Sequence, residues 1–336
     1  MPGLLSPISI RGLVSNCRIV LPPMATALAT EGGEVTDELV EHYALRAKAG
    51  AGVVIVEHTY VTPDGQASPR QLSIIDDTHV RSLARLARAV KDAGALAGIQ
   101  LNHAGGVSSR RVTGLEPVAP SEGTHPRTGE TVKAIDEAGI VRMKLAFVTA
   151  ALRAKEAGFD FVELHGAHGF LLCQFMSPLM NRRTDRYGGD LERRAALPLE
   201  VVVEVRKAIG ERMPLFYRLG ADDMTPGGLS IDDAEAVSPL LVEAGVDVLD
   251  ISGGLGGSRP PGLASQGYFL PWAERIRTKV GVPVVCTGGF TDPLAADDAI
   301  RAGRTDLVGV GRAQLADAEW AVKARMALIK ERRAEA

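Results

Sequence analysis

Short runs of Val, Ile and Leu alternate along the chain with stretches of helical period, and polar, glycine-rich connections separate them. The apolar runs read RIVLPP, GVVIVEH, LAGIQL, FVEL, PLFYRL, VDVLDIS, PVVCTG and DLVGVG. Helical patterns cover Asp37 to Ala49, Asp77 to Ala93 and Ala138 to Ala157, then ERRAALPLEVVVEVRKAIG, IDDAEAVSPLLVEAG, WAERIRTKV and PLAADDAIRAG, with a last helix starting near Ala318. Gly50 suits a left-handed carboxyl cap, and Gly94 and Gly158 end the next two helices. Pro198 is expected near the first turns of the fourth helix or as a kink in it. The strands are short and apolar throughout, as in parallel sheets covered on both faces. Eight strand, loop and helix units in about 310 residues predict one α/β domain over residues 1–336, a TIM (β/α)8 barrel, rather than a doubly wound sheet. No G-x-G-x-x-G follows the first run, where the sequence is PPMATALATEGGE.

Two segments break the alternation. After the third strand comes a long polar loop, Gly105 to Asp136, whose length without periodicity marks a functional loop or lid. After FVEL the strand breaks off at His165 and Gly166, and helix signals return only further on, so His165 and His168 are expected on a connection leaving a buried strand. In a barrel the strand ends share one mouth. They read Pro22 to Ala25, His58, Gln100 to His103, His165 to His168, Arg218, Ser252 to Gly254, Gly288 with Gly289, and Gly311 with Arg312. Glycines after the last two strands, with Arg312 beside them, suit a phosphate site. Arg218 and Gln100 are either a network fixing the mouth or a cation and an amide facing a phosphorylated ring that gains negative charge on reduction, as flavin mononucleotide does.

Composition narrows the partners. The 336 residues are 46% hydrophobic, enough for one large core, and the net charge of −3 gives no electrostatic reason to expect nucleic acid. No stretch approaches the roughly 20 apolar residues of a membrane span, and the start lacks signal-peptide character, so a cytoplasmic protein is expected. Cys17, Cys173 and Cys286 form neither a disulfide framework nor a cluster motif and read as small buried hydrophobes. Apolar helix faces would permit a homo-oligomer.

The segment HGAHGFLLCQFMSPLMNRRTDRYGGDLERR resembles the signature of the old yellow enzyme family, in particular its bacterial ene-reductases and the barrel portion of 2,4-dienoyl-CoA reductases. PPM, IQLNHAGG, YRL before ADD, TGGF and GVGR agree in the same order, over roughly residues 4 to 325. The resemblance implies an FMN-dependent oxidoreductase that takes hydride from NADH or NADPH and reduces an activated alkene, a small-molecule substrate. It places FMN on Pro22, Pro23, Met24, Ala25, Gln100, Arg218, Gly288, Gly289, Gly311 and Arg312, with His58 near it, and it gives His165 and His168 the acceptor's oxygen.

The departures lie in the same site. Relatives carry a proton-donating tyrosine where this chain has Phe170, and a phenyl ring donates no proton. Ala25 stands where relatives place Cys or Thr, His58 replaces a small residue, and the usual substrate-facing tyrosine is absent, leaving Thr26 and Ala27. His58 is the expected replacement donor or substrate contact, with Tyr60 and Tyr268 as weaker candidates. Altered chemistry is the alternative: a redox-neutral isomerase, or a weakly active flavin-binding paralogue. A metal-dependent barrel hydrolase built on His165 and His168, with His58 or His103 as third ligand, is the remaining reading.

Overall fold

The structure is a computed structural model that describes residues 2–259, 262 and 265–334. Pro260, Pro261, Leu263 and Ala264, part of the glycine-rich segment expected to shape substrate choice, lie outside the described residues.

Eight parallel strands close into a barrel: β1 (Ile19–Leu21), β2 (Val53–Tyr60), β3 (Leu96–Asn102), β4 (Phe161–Gly166), β5 (Leu215–Gly220), β6 (Val248–Ser252), β7 (Val284–Thr287) and β8 (Leu307–Gly309). Their order around the barrel is the order of the chain. The outer ring is α1 (Asp37–Lys48), α2 (Val80–Asp92), α3 (Glu137–Glu156), α4 (Leu191–Ile209), α5 (Ile231–Glu243), α6 (Leu270–Arg277), α7 (Pro293–Arg301) and α8 (Trp320–Ala334). Side chains start these helices where the sequence supplies them. Thr36 accepts from Leu39 N–H, Asp136 from Gly139, Asp190 from Arg193, and Ser230 with Asp233 forms a reciprocal capping box. The expected TIM barrel is the observed fold.

Alternation along each strand splits the core in two. Outward residues such as Val54, Val56, Val162 and Leu164 pack under the helices. Inward residues Val20, Val53, Ile55, Phe161, Phe216, Val248, Val285 and Leu307 fill the amino-terminal end of the barrel. There Phe161 stacks on Phe216 with ring centroids 4.1 Å apart. A Cβ at Gly98 of β3 would fall on the Phe161 ring, so only glycine fits beside that stack.

Several boundaries differ from the sequence expectation. Strand β4 continues through His165 to Gly166, and a helix, Leu171–Met176, begins almost at once. The sequence hides it because its six residues are all buried and carry no polar face. Strand β2 runs past His58 to Tyr60, with a register irregularity between Val56 and Thr59. Two further short helices, Arg110–Thr113 and Arg312–Ala316, were not expected, and Pro198 sits inside α4 just past its second turn. The Gly105 to Asp136 segment is not structureless. It holds a small sheet of Val118–Ala119, Thr131–Ala134 and Gly123–Thr124, in that spatial order. Before β1, an antiparallel hairpin, Ile8–Ile10 with Leu13–Ser15, puts Ile10 into the floor cluster. Its strands are three residues each, below what hydrophobic patterning resolves.

Candidate active site

At the carboxyl-terminal end the barrel opens into a cavity of about 460 Å³. Of the expected site residues, Pro23, Met24, Ala25, His58, His165, His168, Phe170, Arg218, Tyr268, Gly289, Gly311 and Arg312 line it together. Pro22, Thr26, Gln100, Gly288 and Tyr60 are absent from the lining. Thr26 is turned away, donating from its N–H and hydroxyl to Glu57. Gln100 lies deeper, donating to Glu163 at 2.8 Å.

His58 reaches the cavity because of the irregularity in β2. Strict alternation from the inward Val53 and Ile55 would send Glu57 inward and His58 outward. The register shift reverses this, as a bulge does. Glu57 then faces out, accepting from Thr26 and from Tyr43 of α1, while His58 lines the cavity. Its tautomer is set by Gln71, a residue outside the strand ends. Ala67 N–H donates to the Gln71 amide oxygen at 2.7 Å, which turns the amide nitrogen to His58. That nitrogen donates to His58 Nδ1 and, at 2.9 Å, to its carbonyl. With Nδ1 accepting, the proton of the neutral ring is on Nε2.

The histidine pair is built by β4 and the turn after it. His165 ends the inward series Phe161, Glu163, His165, and its Nδ1 accepts from Ala167 N–H at 3.2 Å, leaving Nε2 to donate. His168 has a φ of +57°, a left-handed conformation rare outside glycine, and it is pinned from three sides. Its N–H donates to Gly253 O at 3.0 Å, its carbonyl accepts from Arg127, and its Nε2 pairs with Ser252 Oγ at 2.7 Å. When Ser252 donates, Nδ1 carries the ring proton. The two rings meet edge-on at 5.0 Å, and Phe170 packs against both His165 (4.7 Å) and His58 (5.5 Å).

All three rings are kept neutral. Burial lowers His58 from 6.5 to about 4, with Arg218 adding repulsion. Burial also drives His165 and His168 well below 6.5, reinforced for His165 by its partner and for His168 by Arg218. Three neutral imidazoles each carry one N–H and hold no stored proton to release at neutral pH.

Beneath them lies a charged layer. Arg218 Nε and Asp250 Oδ2 are 3.4 Å apart, an ion pair without a hydrogen bond between those atoms. Glu163 accepts from Gln100 on one oxygen, while its other oxygen has no hydrogen-bond partner among the described residues. Burial first, and Asp250 second, push the Glu163 carboxyl well above its ordinary range. Neither acid appears in the strand-end inventory, because both lie one inward position below the mouth.

At the other side of the cavity the backbone comes close. A Cβ on Gly289 would lie 2.6 Å from the Tyr268 ring, and one on Gly311 would lie 2.8 Å from Met24 Sδ. Tyr268 is already engaged: its hydroxyl donates to Ser258 O at 2.8 Å and accepts from Arg312 at 3.1 Å. The metal reading finds no support in this geometry. No three of His, Cys, Asp and Glu are placed to share an ion among the described residues, and His103 faces Asp64 at 3.5 Å. The three cysteines are buried and free, as expected.

Glycines with no room for a side chain stand beside Arg312, and a buried guanidinium and a pair of neutral imidazoles line the same cavity, an arrangement suited to a flavin-binding barrel of the oxidoreductase class. Residues 3–331 match the NADH:flavin oxidoreductase / NADH oxidase family, to which the chain belongs. It is 42% identical to an NADH oxidase of Thermoanaerobacter brockii over 96% of this chain and 51% of that protein. It is 41% identical to an NADPH dehydrogenase of Geobacillus sp. (strain WCH70), over 94% of this chain and 92% of the relative. Among solved structures, 2-naphthoyl-CoA reductase in complex with 2-naphthoyl-CoA superposes with a TM-score of 0.92 at 25% identity, covering 97% of this chain and 52% of that one. An old yellow enzyme homologue from Zymomonas mobilis superposes at 0.81 with 28% identity, covering 93% and 89%. The chain thus spans about half the length of the first oxidase and of the naphthoyl-CoA reductase. FMN and a nicotinamide hydride donor, expected from the sequence, are the cofactor and donor of this family.

Proposed function

We propose that this barrel is an NADH- or NADPH-dependent ene-reductase acting on small activated alkenes. The observation that supports the reading is that His165 and His168, both held neutral, line the same cavity as Arg218, Gly289, Gly311 and Arg312. FMN fits these residues, with Gly289, Gly311 and Arg312 holding its phosphate and Arg218 facing its ring. Bound there, FMN would accept hydride from the nicotinamide and pass it to the electron-poor carbon of the alkene.

The chain's own contribution is to the acceptor. Two N–H donors on a carbonyl oxygen stabilise the negative charge that grows there as hydride reaches the β-carbon. Neutral rings do this without transferring a proton to that oxygen. The α-carbon still needs a proton, and Phe170 has none to give. His58 places an Nε2–H in the same cavity, but with its conjugate acid held near 4 it is a donor contact and not an imidazolium reservoir at neutral pH. Tyr268 is tied to Ser258 and Arg312. Solvent therefore supplies the α-proton.

That shortage of acids also favours the second reading, a flavin barrel whose net chemistry is isomerisation or slow turnover. One experiment separates them. The purified holoprotein is bleached with NADH or NADPH without oxygen and then mixed with cyclohex-2-enone. Return of the oxidised flavin spectrum with formation of cyclohexanone supports the reductase. Bleaching without return for any activated alkene supports altered chemistry.

A further inference from the structure

The main cavity is lined by four arginines, Arg127, Arg218, Arg259 and Arg312, and by no carboxylate among the described residues. Arg218 is balanced by Asp250 beneath it, and Arg312 stands beside the phosphate cradle. Arg127 has no such assignment. It lies on the turn that joins Gly123–Thr124 to Thr131–Ala134 in the inserted sheet. That turn is tied down, with Gly129 N–H donating to His125 O at 2.9 Å and Arg127 N–H to His125 Nδ1 at 3.3 Å. The guanidinium reaches the His168 carbonyl at 3.3 Å and meets no acid at ion-pair distance among the described residues.

Arg127 also lines a second cavity, of about 550 Å³, so the two hollows share a wall. The second is walled by Val132, Leu179, Met180 and Leu255, with Arg182 on its rim. The Arg182 N–H donates to Ser121 Oγ at 2.9 Å and its guanidinium to the Glu122 carbonyl at 2.8 Å, and the guanidinium has no ion pair among the described residues. The Glu122 carboxylate is the one acid on that wall among the described residues, against two arginines. An apolar trough that starts beside the acceptor-binding histidines and is flanked by two unpaired cations is complementary to an amphiphilic anion.

We infer that the acceptor carries an anionic group on an apolar arm, and that Arg127 and Arg182 receive that group in the trough beneath the inserted sheet. This rests on the reductase reading for the identity of the occupant, though not for the binding itself. The same anion chemistry could come from the dinucleotide phosphates of the hydride donor, so the test includes an arm for each.

The probes are a cyclohex-2-enone bearing a heptanoate arm and the methyl ester of the same compound. Binding to the oxidised holoprotein is read from perturbation of the flavin absorbance, which needs no turnover. The acid is expected to bind about fivefold to tenfold more tightly than the ester at low salt, with the preference shrinking as ionic strength rises. Arg127→Ala and Arg182→Ala should each bring the ratio toward one, and Arg127→Lys should keep most of it. Flavin content and melting temperature establish that each variant is folded. Equal binding of acid and ester by the wild type overturns the inference, and so does a preference that survives both alanine variants. It is also overturned if Arg127→Ala weakens NADPH binding in the bleaching reaction and leaves the acid-to-ester ratio intact. If the acid is preferred but never reoxidises the reduced flavin, the reductase reading fails and the anion subsite stands.

Discussion

The two ends of one barrel obey different rules. At the floor, Phe161, Phe216 and their aliphatic neighbours form one apolar cluster, and Ile10 from the hairpin packs into it. At the mouth, one or two inward positions further along the same strands, the residues are His165, Arg218 and Ser252, with orphaned polar atoms nearby and a histidine in left-handed conformation. The crossover takes place within β4 itself, where Phe161, Glu163 and His165 step from apolar packing to a buried carboxyl to the cavity wall. The floor holds the strands at fixed spacing, and the mouth uses that rigidity to keep strained and unpaired groups where solvation would otherwise move them.

Substitutions at each end should separate these roles. Phe161→Ala removes half of the ring stack and should cost about 3–5 kcal/mol of stability by the cavity it leaves, read by urea unfolding, while flavin per folded molecule stays near one. Asp250→Asn, in the layer between, should cost about 3 kcal/mol, because Arg218 is left as an uncompensated buried cation. The same unfolding series checks it, and a change under about 1 kcal/mol would mean that Arg218 is solvated through the cavity. At the mouth, Phe170→Tyr should leave stability within about 1 kcal/mol and raise the rate of enone reduction about 100-fold, the lower range of general acid catalysis. No gain would show that protonation does not limit this enzyme.

The smallest effect is on pH. An unfolded histidine takes its proton near 6.5, whereas His58 in the folded chain resists until about 4. Stability associated with that ring is therefore complete above 6.5 and lost as pH falls through 4. The stability of the wild type relative to His58→Ala should fall between pH 7 and pH 4, a difference that cancels the like-signed contributions of His42 and His125. A difference independent of pH would mean that the His58 ring is solvated.

The mouth was largely legible in the sequence because strand ends in a barrel converge, so one inventory of eight positions gathers His58, His165, Arg218, Gly289, Gly311 and Arg312 from distant segments. What stayed hidden depends on register or on neighbours. Glu163 and Asp250 read as ordinary polar residues in apolar runs, and only pairing of Gln100 with Glu163 and of Arg218 with Asp250 reveals a buried charge layer. Gln71 belongs to no strand and acts through the bulge at His58, which leaves no mark in hydrophobic period. Thr26 looked like a mouth residue by position, yet Glu57, displaced outward by that bulge, draws it away.

The role of the histidine pair is the point on which the reading depends, and His165→Ala addresses it directly. In anaerobic stopped-flow mixing of prereduced enzyme with cyclohex-2-enone, removal of this Nε2–H donor should slow flavin reoxidation by about 100-fold or more, with flavin content unchanged. Reoxidation at the wild-type rate would contradict the placement of the acceptor's oxygen at His165 and His168.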